Sequence, residues 1–319
     1  MTFRPRKRFA QHWLRSEKAL QRIVSAANLS GGQALVRPTQ SDEGLPDDIV
    51  LEIGPGTGLL TRRLLRLARA VVSVEIDRDL VKLLQKEFAQ HSTFHLIEGD
   101  FLSLDLDAAL ANQPAFQTPN KVVANIPYNI TGPILEKLLG SIHQPNPRPF
   151  DSLVLLMQKE VAERLCAKPG KKTFGALSVR VQYLAEADWI CDVPARAFQP
   201  PPKVDSAVVR LRPRPFPTPA TNPRHMETLV KLGFASRRKM LRNNLKGIVK
   251  DVQGEGSERD TLTDLFTRLN LNPQARAEDL SVSDWVNLSN TLLSEGSTAL
   301  PEVPAEEEIE AIAPIPPAL

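Results

Sequence analysis

Glu52-Ile-Gly-Pro-Gly-Thr-Gly58 places Gly54, Gly56 and Gly58 at alternate positions. Without Cβ atoms they let the backbone approach a ligand closely, and a helix opening there offers unpaired N–H donors. The spacing differs from Gly-x-Gly-x-x-Gly, so a nucleotide-type ligand is better supported than a bound pyrophosphate. A bare strand-to-helix turn could use the same glycines. In Val74-Glu-Ile-Asp77, Glu75 could accept both hydroxyls of an adenosine ribose, while Asp77 could cap a helix. In Glu98-Gly-Asp100, Asp100 could accept from an adenine amino group or serve as a cap. Turn chemistry explains the proline and the asparagines of Asn125-Ile-Pro-Tyr-Asn-Ile130, but not Tyr128.

Each stretch ends a run that reads as a strand. Ile49–Ile53, Val71–Glu75, Phe94–Ile97, Val122–Ala124 and Ser152–Met157 are rich in β-branched and aliphatic residues. Between them Leu59–Ala68, the segment around Leu80–Phe88 and Gly132–Leu139 have helical periodicity. Strands alternating with helices predict right-handed βαβ units, a parallel sheet, and a ligand at the carboxyl ends of its strands. Val204–Leu211 reads as a late strand. A proline-rich segment follows, and then helical patterns over 224–236, 237–250, 259–269 and 283–293. The fold class expected is α/β, a Rossmann-like domain with a small C-terminal all-α domain. The expected parts are a basic N-terminal segment or lid at 1–30, the α/β domain at 31–212, a linker at 213–223, the helical domain at 224–294 and an acidic tail at 295–319.

Composition narrows the partners. The net charge of +3 conceals a tail, 295–319, that holds six glutamates and no Lys or Arg. The body carries the excess positive charge, as expected of a chain with a polyanionic partner. The proline-rich tail is expected to be disordered. No apolar run is long enough to span a membrane, and no signal peptide is read at the N-terminus. Cys166 and Cys191 form no redox or metal spacing, and the five histidines are scattered. In a helix over 237–250, Arg238, Lys239, Arg242, Lys246 and Lys250 would form a basic stripe able to track phosphates. The plainer reading is a solvated face.

The order of glycine loop, Glu, Asp and Asn-x-Pro-Tyr resembles the class I S-adenosylmethionine-dependent methyltransferases, especially those acting on amino groups of adenine or cytosine. An exocyclic amine is a poor nucleophile because its lone pair is delocalised into the ring. Asn125 and, by the family's pattern, the carbonyl of Ile126 would accept its two N–H bonds and favour pyramidal nitrogen. Tyr128 would stack on the base, and Pro127 would hold the loop rigid. Such a base must leave its stack, which is easiest in single-stranded or loop RNA.

Further stretches resemble the ribosomal RNA adenine dimethyltransferases: Arg6–Leu14, Met157–Leu165, Phe174–Ser178, Phe198–Val209, Ala235–Leu245 and Asn272–Leu280. They stand in the family's order, and the resemblance covers about 4–293. The resemblance implies N6,N6-dimethylation of two adjacent adenosines in the 3′-terminal hairpin loop of small-subunit (16S) rRNA, during small-subunit biogenesis. It implies S-adenosyl-L-methionine as methyl donor, no metal, the immature small subunit as partner, no membrane, a monomer and a cytoplasmic location. By motif position, cofactor contacts fall at His12, Leu14, Gly54, Glu75, Asp100 and Asn125, with Gly56 and Gly58 completing the glycine loop. Ala10 and Trp13 depart from the family's glycine and phenylalanine, which leaves the N-terminal lid the weakest carry-over. The competing readings are an Erm-type large-subunit rRNA methyltransferase, a nucleotide-dependent dehydrogenase and a non-catalytic ribosome assembly factor.

Overall fold

The structure is a computed structural model that describes residues 11–29, 48–248 and 258–296. Ala10, the start of the expected α/β domain at 31–47, the end of the expected basic helix and the tail beyond Gly296 lie outside the described residues. The chain divides into two compact units. One draws on 1–138, 148–162 and 187–213, the other on 139–147, 163–186 and 214–319.

The first unit opens with β1 (Trp13–Leu14) and α1 (Glu17–Ala27). The Ser16 hydroxyl accepts from Ala19 N at the start of α1, and Asn28 ends it in the left-handed region at φ 44°. Leu20, Ile23 and Ala27 recur at helical spacing and are buried with Val123, Val154 and Leu156 of the sheet. Ile23 has no exposed surface, and burying such a side chain contributes about 1.5–3 kcal/mol.

The alternating part follows as β2 (Ile49–Ile53), α2 (Thr61–Leu64), β3 (Ala70–Glu75), α3 (Arg78–Glu87), β4 (Phe94–Glu98), α4 (Leu106–Leu110), β5 (Lys121–Asn125), α5 (Thr131–Leu139) and β6 (Ser152–Gln158). Next come α6 (Lys159–Leu165), α7 (Ala176–Leu184), β7 (Ala185–Val193), β8 (Phe198–Gln199) and β9 (Ser206–Pro213). The seven-stranded sheet runs β4-β3-β2-β5-β6-β9-β7. β2 through β6 pair in parallel, and β9 joins β6 antiparallel, with Leu155 opposite Val209. Every residue of β2 and β3 is buried, as both-face burial of parallel strands requires. The strand order reverses at β2, between β3 and β5, and a crevice opens at such a reversal.

The residues between β2 and α2 form the glycine loop. Gly54, Gly56 and Gly58 all have positive φ, at 65°, 59° and 77°. Gly58 serves packing rather than the crevice, because a Cβ there would lie 2.7 Å from the Phe88 ring. Glu52 fixes the base of the loop. Its Oε2 accepts from Thr61 Oγ1 at 2.7 Å and from Ser73 Oγ at 2.8 Å, linking β2 to α2 and β3.

The second unit contains α7, α8 (Pro223–Phe234), α9 (Leu241–Asn244), α10 (Glu258–Arg268) and α11 (Val282–Ser294). Trp285 of α11 is fully buried, and a Cβ on Gly233 would come within 2.4 Å of its ring. Two expectations change here. Residues 163–186, expected within the α/β domain, group with the helices. Tyr183 explains this: its ring stacks on Phe216 at 5.1 Å and its hydroxyl accepts from Ala220 N at 3.2 Å, so the proline-rich segment lies along α7. The basic helix expected over 237–250 is broken. Met240 is extended (φ −61°, ψ 142°), and α9 starts only after it. The Asn244 side chain donates to the carbonyls of Gly233 and Ser236, taking up the end of α8 that a continuous helix would have extended.

Burial pushes the Glu52 carboxyl from 4.5 up to about 7. Between those values the folded state keeps a proton that the unfolded chain releases, so this group makes stability fall as pH rises from 4.5 to 7. The loss amounts to about 3 kcal/mol. Urea unfolding of wild type and Glu52→Gln at pH 4.5 and at pH 7.5 should show the wild type losing that much relative to the variant. A difference that is the same at both pH values contradicts the assignment.

Candidate active site

The crevice lies at the carboxyl ends of β2, β3, β4 and β5, and the segment 11–13 forms another wall. His12, Gly54, Gly56, Glu75, Asp100, Asn125, Ile126, Pro127 and Tyr128 all line it. Leu14 and Gly58 do not. Leu14 is buried and paired with Phe198 across the β1–β8 ribbon, and Gly58 packs against Phe88.

Glu75 ends β3 with 4% of its surface exposed. Its Oε2 accepts from Gly56 N at 3.2 Å and its Oε1 from Asp77 N at 2.9 Å. These bonds tie the carboxylate to the glycine loop and fix its orientation. Burial raises its pKa, and the N–H groups of Asp77 and Gly56 oppose that rise. Each oxygen keeps a lone pair for a ligand hydroxyl. Asp77 is the α3 cap, accepting from Asp79 N at 3.1 Å, as the alternative reading of its sequence position has it. Asp100 is exposed. Its Oδ1 accepts from Leu102 N at 2.9 Å, so cap-like turn chemistry and a position on the crevice coexist in one residue. Beside it, Lys137 Nζ lies 5.0 Å from the centre of the Phe101 ring.

On the other wall, Asn125 Nδ2 donates to the main-chain carbonyl of His12 at 3.1 Å. A carbonyl can only accept, so this bond sets the amide's rotation and leaves Oδ1 as the uncommitted acceptor. Ile126 N donates to Leu156 O at 3.1 Å, which continues the sheet pairing one residue beyond β5. Pro127 has φ −60° and leads into a 3₁₀ turn at Tyr128–Ile130 and then α5. Tyr128 is 8% exposed. Its hydroxyl meets Ser206 Oγ at 2.5 Å, and burial pushes its pKa up to about 12. Its ring stacks on the His12 ring, 6.0 Å between centroids and 25° between planes. His12 Nδ1 is itself bound to Pro200 O at 2.9 Å.

Several crevice residues have no role that the sequence alone assigns. Trp13, Phe101, Ile76 and Ile130 add apolar walls, and Ile76 is exposed to 45%. Their signal is weak because an apolar residue beside a motif usually belongs to the core. Arg238, Lys239, Arg242 and Lys246 belong to the second unit. Arg238 and Lys239 are exposed. Arg242 reaches Thr263 Oγ1 at 3.3 Å and Met240 Sδ at 3.6 Å, with its Nε buried and without a partner among the described residues. It is therefore committed inside that unit, and the break at Met240 divides the expected stripe, of which Lys250 lies outside the described residues.

A parallel sheet with this strand order, an antiparallel β9 and a glycine loop under the reversal is the class I S-adenosylmethionine-dependent methyltransferase fold. Two features of the crevice fit such a ligand. Among the described residues, the Trp13 indole Nε1 is a buried donor without a partner, and a Cβ built on Gly54 would meet no atom within 4 Å. The chain belongs to the ribosomal RNA adenine dimethylase family, whose model matches residues 2–293. Among its relatives, the ribosomal RNA small subunit methyltransferase A of Nostoc punctiforme is 62% identical over 289 residues, covering 91% of this chain and 95% of that one. The protein of the same name in Synechocystis is 54% identical over 292 residues, covering 92% and 98%. A dimethyladenosine transferase from Plasmodium falciparum superposes with a TM-score of 0.69 at 27% identity, covering 89% of this chain and 98% of that one. The 23S rRNA methyltransferase ErmE gives 0.64 at 27% identity, covering 88% and 99%.

Trp13→Phe keeps an aromatic ring, though a smaller one, and removes the donor. Calorimetric titration with S-adenosylhomocysteine should show roughly tenfold weaker binding, the worth of one hydrogen bond. Unchanged affinity would mean that the indole N–H has no ligand partner.

Proposed function

We propose that the chain transfers methyl groups from S-adenosyl-L-methionine to N6 of two adjacent adenosines in the 3′-terminal hairpin loop of 16S rRNA, giving N6,N6-dimethyladenosine. It does so as a monomer in the cytoplasm, on the immature small subunit. The observation that carries this reading is the Asn125 amide, whose nitrogen is held by His12 and whose oxygen stays free on the crevice. Relatives named for the small-subunit activity, at 62% identity, favour it over the Erm-type alternative.

When bound, S-adenosylmethionine supplies a methyl group on a positively charged sulfur, a good leaving group that calls for no metal. The protein binds, orients and polarises. Glu75 accepts the ribose hydroxyls and Asp100 the adenine amino group of the donor. Asn125 Oδ1 and the Ile126 carbonyl accept hydrogen bonds from the two N6–H groups of the target base in the first transfer and from the one that remains in the second, and each transfer ends with loss of a proton from N6 to solvent. As nitrogen takes up positive charge these acceptors bind more strongly, which lowers the barrier rather than the ground state. Tyr128, fixed by Ser206 and flanked by His12, offers a face on which the target base stacks at a set angle to the methyl group. Pro127 limits the freedom of the loop between them. In the second unit, the exposed Arg238 and Lys239 contact RNA phosphates.

Incubation with labelled S-adenosylmethionine and undermethylated small subunits, followed by nucleoside mass spectrometry, tests the reading. Dimethyladenosine confined to the 3′-terminal hairpin is expected, with lower yield at limiting substrate when Arg238 and Lys239 are replaced by Gln. Label in large-subunit RNA, or no label, would overturn it.

A further inference from the structure

Beside the crevice lies a second concavity in the same unit, lined by Arg15, Lys18, Arg22 and Arg196 together with Cys191 and Asp192. All four cations are exposed. None of them takes part in a salt bridge or side-chain hydrogen bond within the described residues. The carboxylate in the lining, Asp192, is already paired with Lys159 at 3.0 Å. Glu17, at the start of α1, is paired with Arg63. Among the described residues the groove is thus a patch of positive charge that is not offset. Like charges held this close repel each other, and the repulsion is relieved when a polyanion enters.

Local structure produces the cluster. Lys18 and Arg22 are four residues apart on α1 and so share one face. The buried face of the same helix is fixed by Ile23 and Leu20 against the sheet, which turns the basic face outward. Arg15 precedes the cap, and Arg196 comes from the turn before β8. The β1–β8 ribbon joins groove to crevice: His12 is bound to Pro200 O at one end, and Arg15 N donates to Ala197 O at 2.8 Å at the other. From His12 to Arg15 the chain advances three residues, roughly 10 Å in extended form. That places Arg15, at the near end of the groove, within a nucleotide or two of a base held on Tyr128.

We propose that this groove of Arg15, Lys18, Arg22 and Arg196 binds the sugar–phosphate backbone of the RNA strand flanking the target adenosine. It holds the strand while the base is out of its stack. The inference rests on the proposed RNA substrate and adds to it the route by which the flanking strand leaves the crevice. Because phosphates are contacted and bases are not, the groove contributes affinity without sequence preference.

The test uses the full chain with Arg15, Lys18, Arg22 and Arg196 all replaced by Gln, and the two half-variants Arg15→Gln/Lys18→Gln and Arg22→Gln/Arg196→Gln. Binding to undermethylated small subunits is measured across a salt series, beside S-adenosylhomocysteine binding and thermal unfolding. Expected are weaker particle binding and a log K against log salt slope flatter by about 0.7 for each phosphate that the variant no longer neutralises. S-adenosylhomocysteine affinity should be unchanged, and the unfolding midpoint unchanged or raised, because the substitutions remove like-charge repulsion. Should the fourfold variant fail to fold, the half-variants read the same slope at half the size. An unchanged slope, or a weakening equal at all salt concentrations, overturns the groove assignment. Wild type run in parallel separates this from the parent reading: if it methylates the particles while the variants keep the wild-type slope, the groove alone is wrong. If wild type neither binds nor methylates them, the RNA reading itself falls.

Discussion

One hydrogen bond, from the Asn125 amide nitrogen to the His12 carbonyl, links the two walls of the crevice. It holds the segment that carries His12 and Trp13 to the end of β5, and it presents the amide oxygen as an acceptor. The neighbouring contacts follow from it. His12 stacks on Tyr128 and binds Pro200, Tyr128 is fixed to Ser206 of β9, and Trp13 lies over Gly56. Removal of that bond would cut the direct tie between the entry strand and the end of β5, while the β1–β8 ribbon and the Tyr128–Ser206 bond continue to hold each of them.

The opposite wall is organised by buried carboxylates. Glu75 holds the glycine loop through Gly56 N, and Glu52 holds its base through Thr61 and Ser73. Burial disfavours the charged form of each, so the loop's order costs folding stability. That cost is accepted at a site where an oriented acceptor is needed before the ligand arrives. The parallel strands supply the rigidity behind it. Because β2 and β3 are buried throughout, their ends cannot shift without disturbing the core.

Much of the α/β unit and its crevice was legible in the sequence. β-rich runs ending in Gly, Glu, Asp and Asn mark strand ends through chemistry that is local, and Asn125, Glu75 and Asp100 therefore lie where expected. Packing between residues far apart in the chain was not legible. Gly58 reads as a ligand-loop glycine, but Phe88, just beyond α3, fills the space beside it. The basic run after Ala235 has helical periodicity, yet the Asn244 side chain closes α8 and divides the run. Residues 163–186 carry no strong periodic signal, and their place with the helical unit depends on Tyr183 packing on Phe216. Trp13 reads only as a departure from a family pattern. Its importance depends on where the indole N–H is left without a partner.

The central claim is that Asn125 acts as a donor to His12 and an acceptor to the target base at the same time. Asn125→Asp preserves shape and acceptor but replaces the donor with a second oxygen facing the His12 carbonyl. The measurement is the single-turnover methyl-transfer rate of this variant on undermethylated small subunits at neutral pH. The account predicts a rate lower by about a hundredfold or more, in line with loss of one oriented group in a reacting site. A rate close to wild type would show that the acceptor alone suffices and would contradict the account.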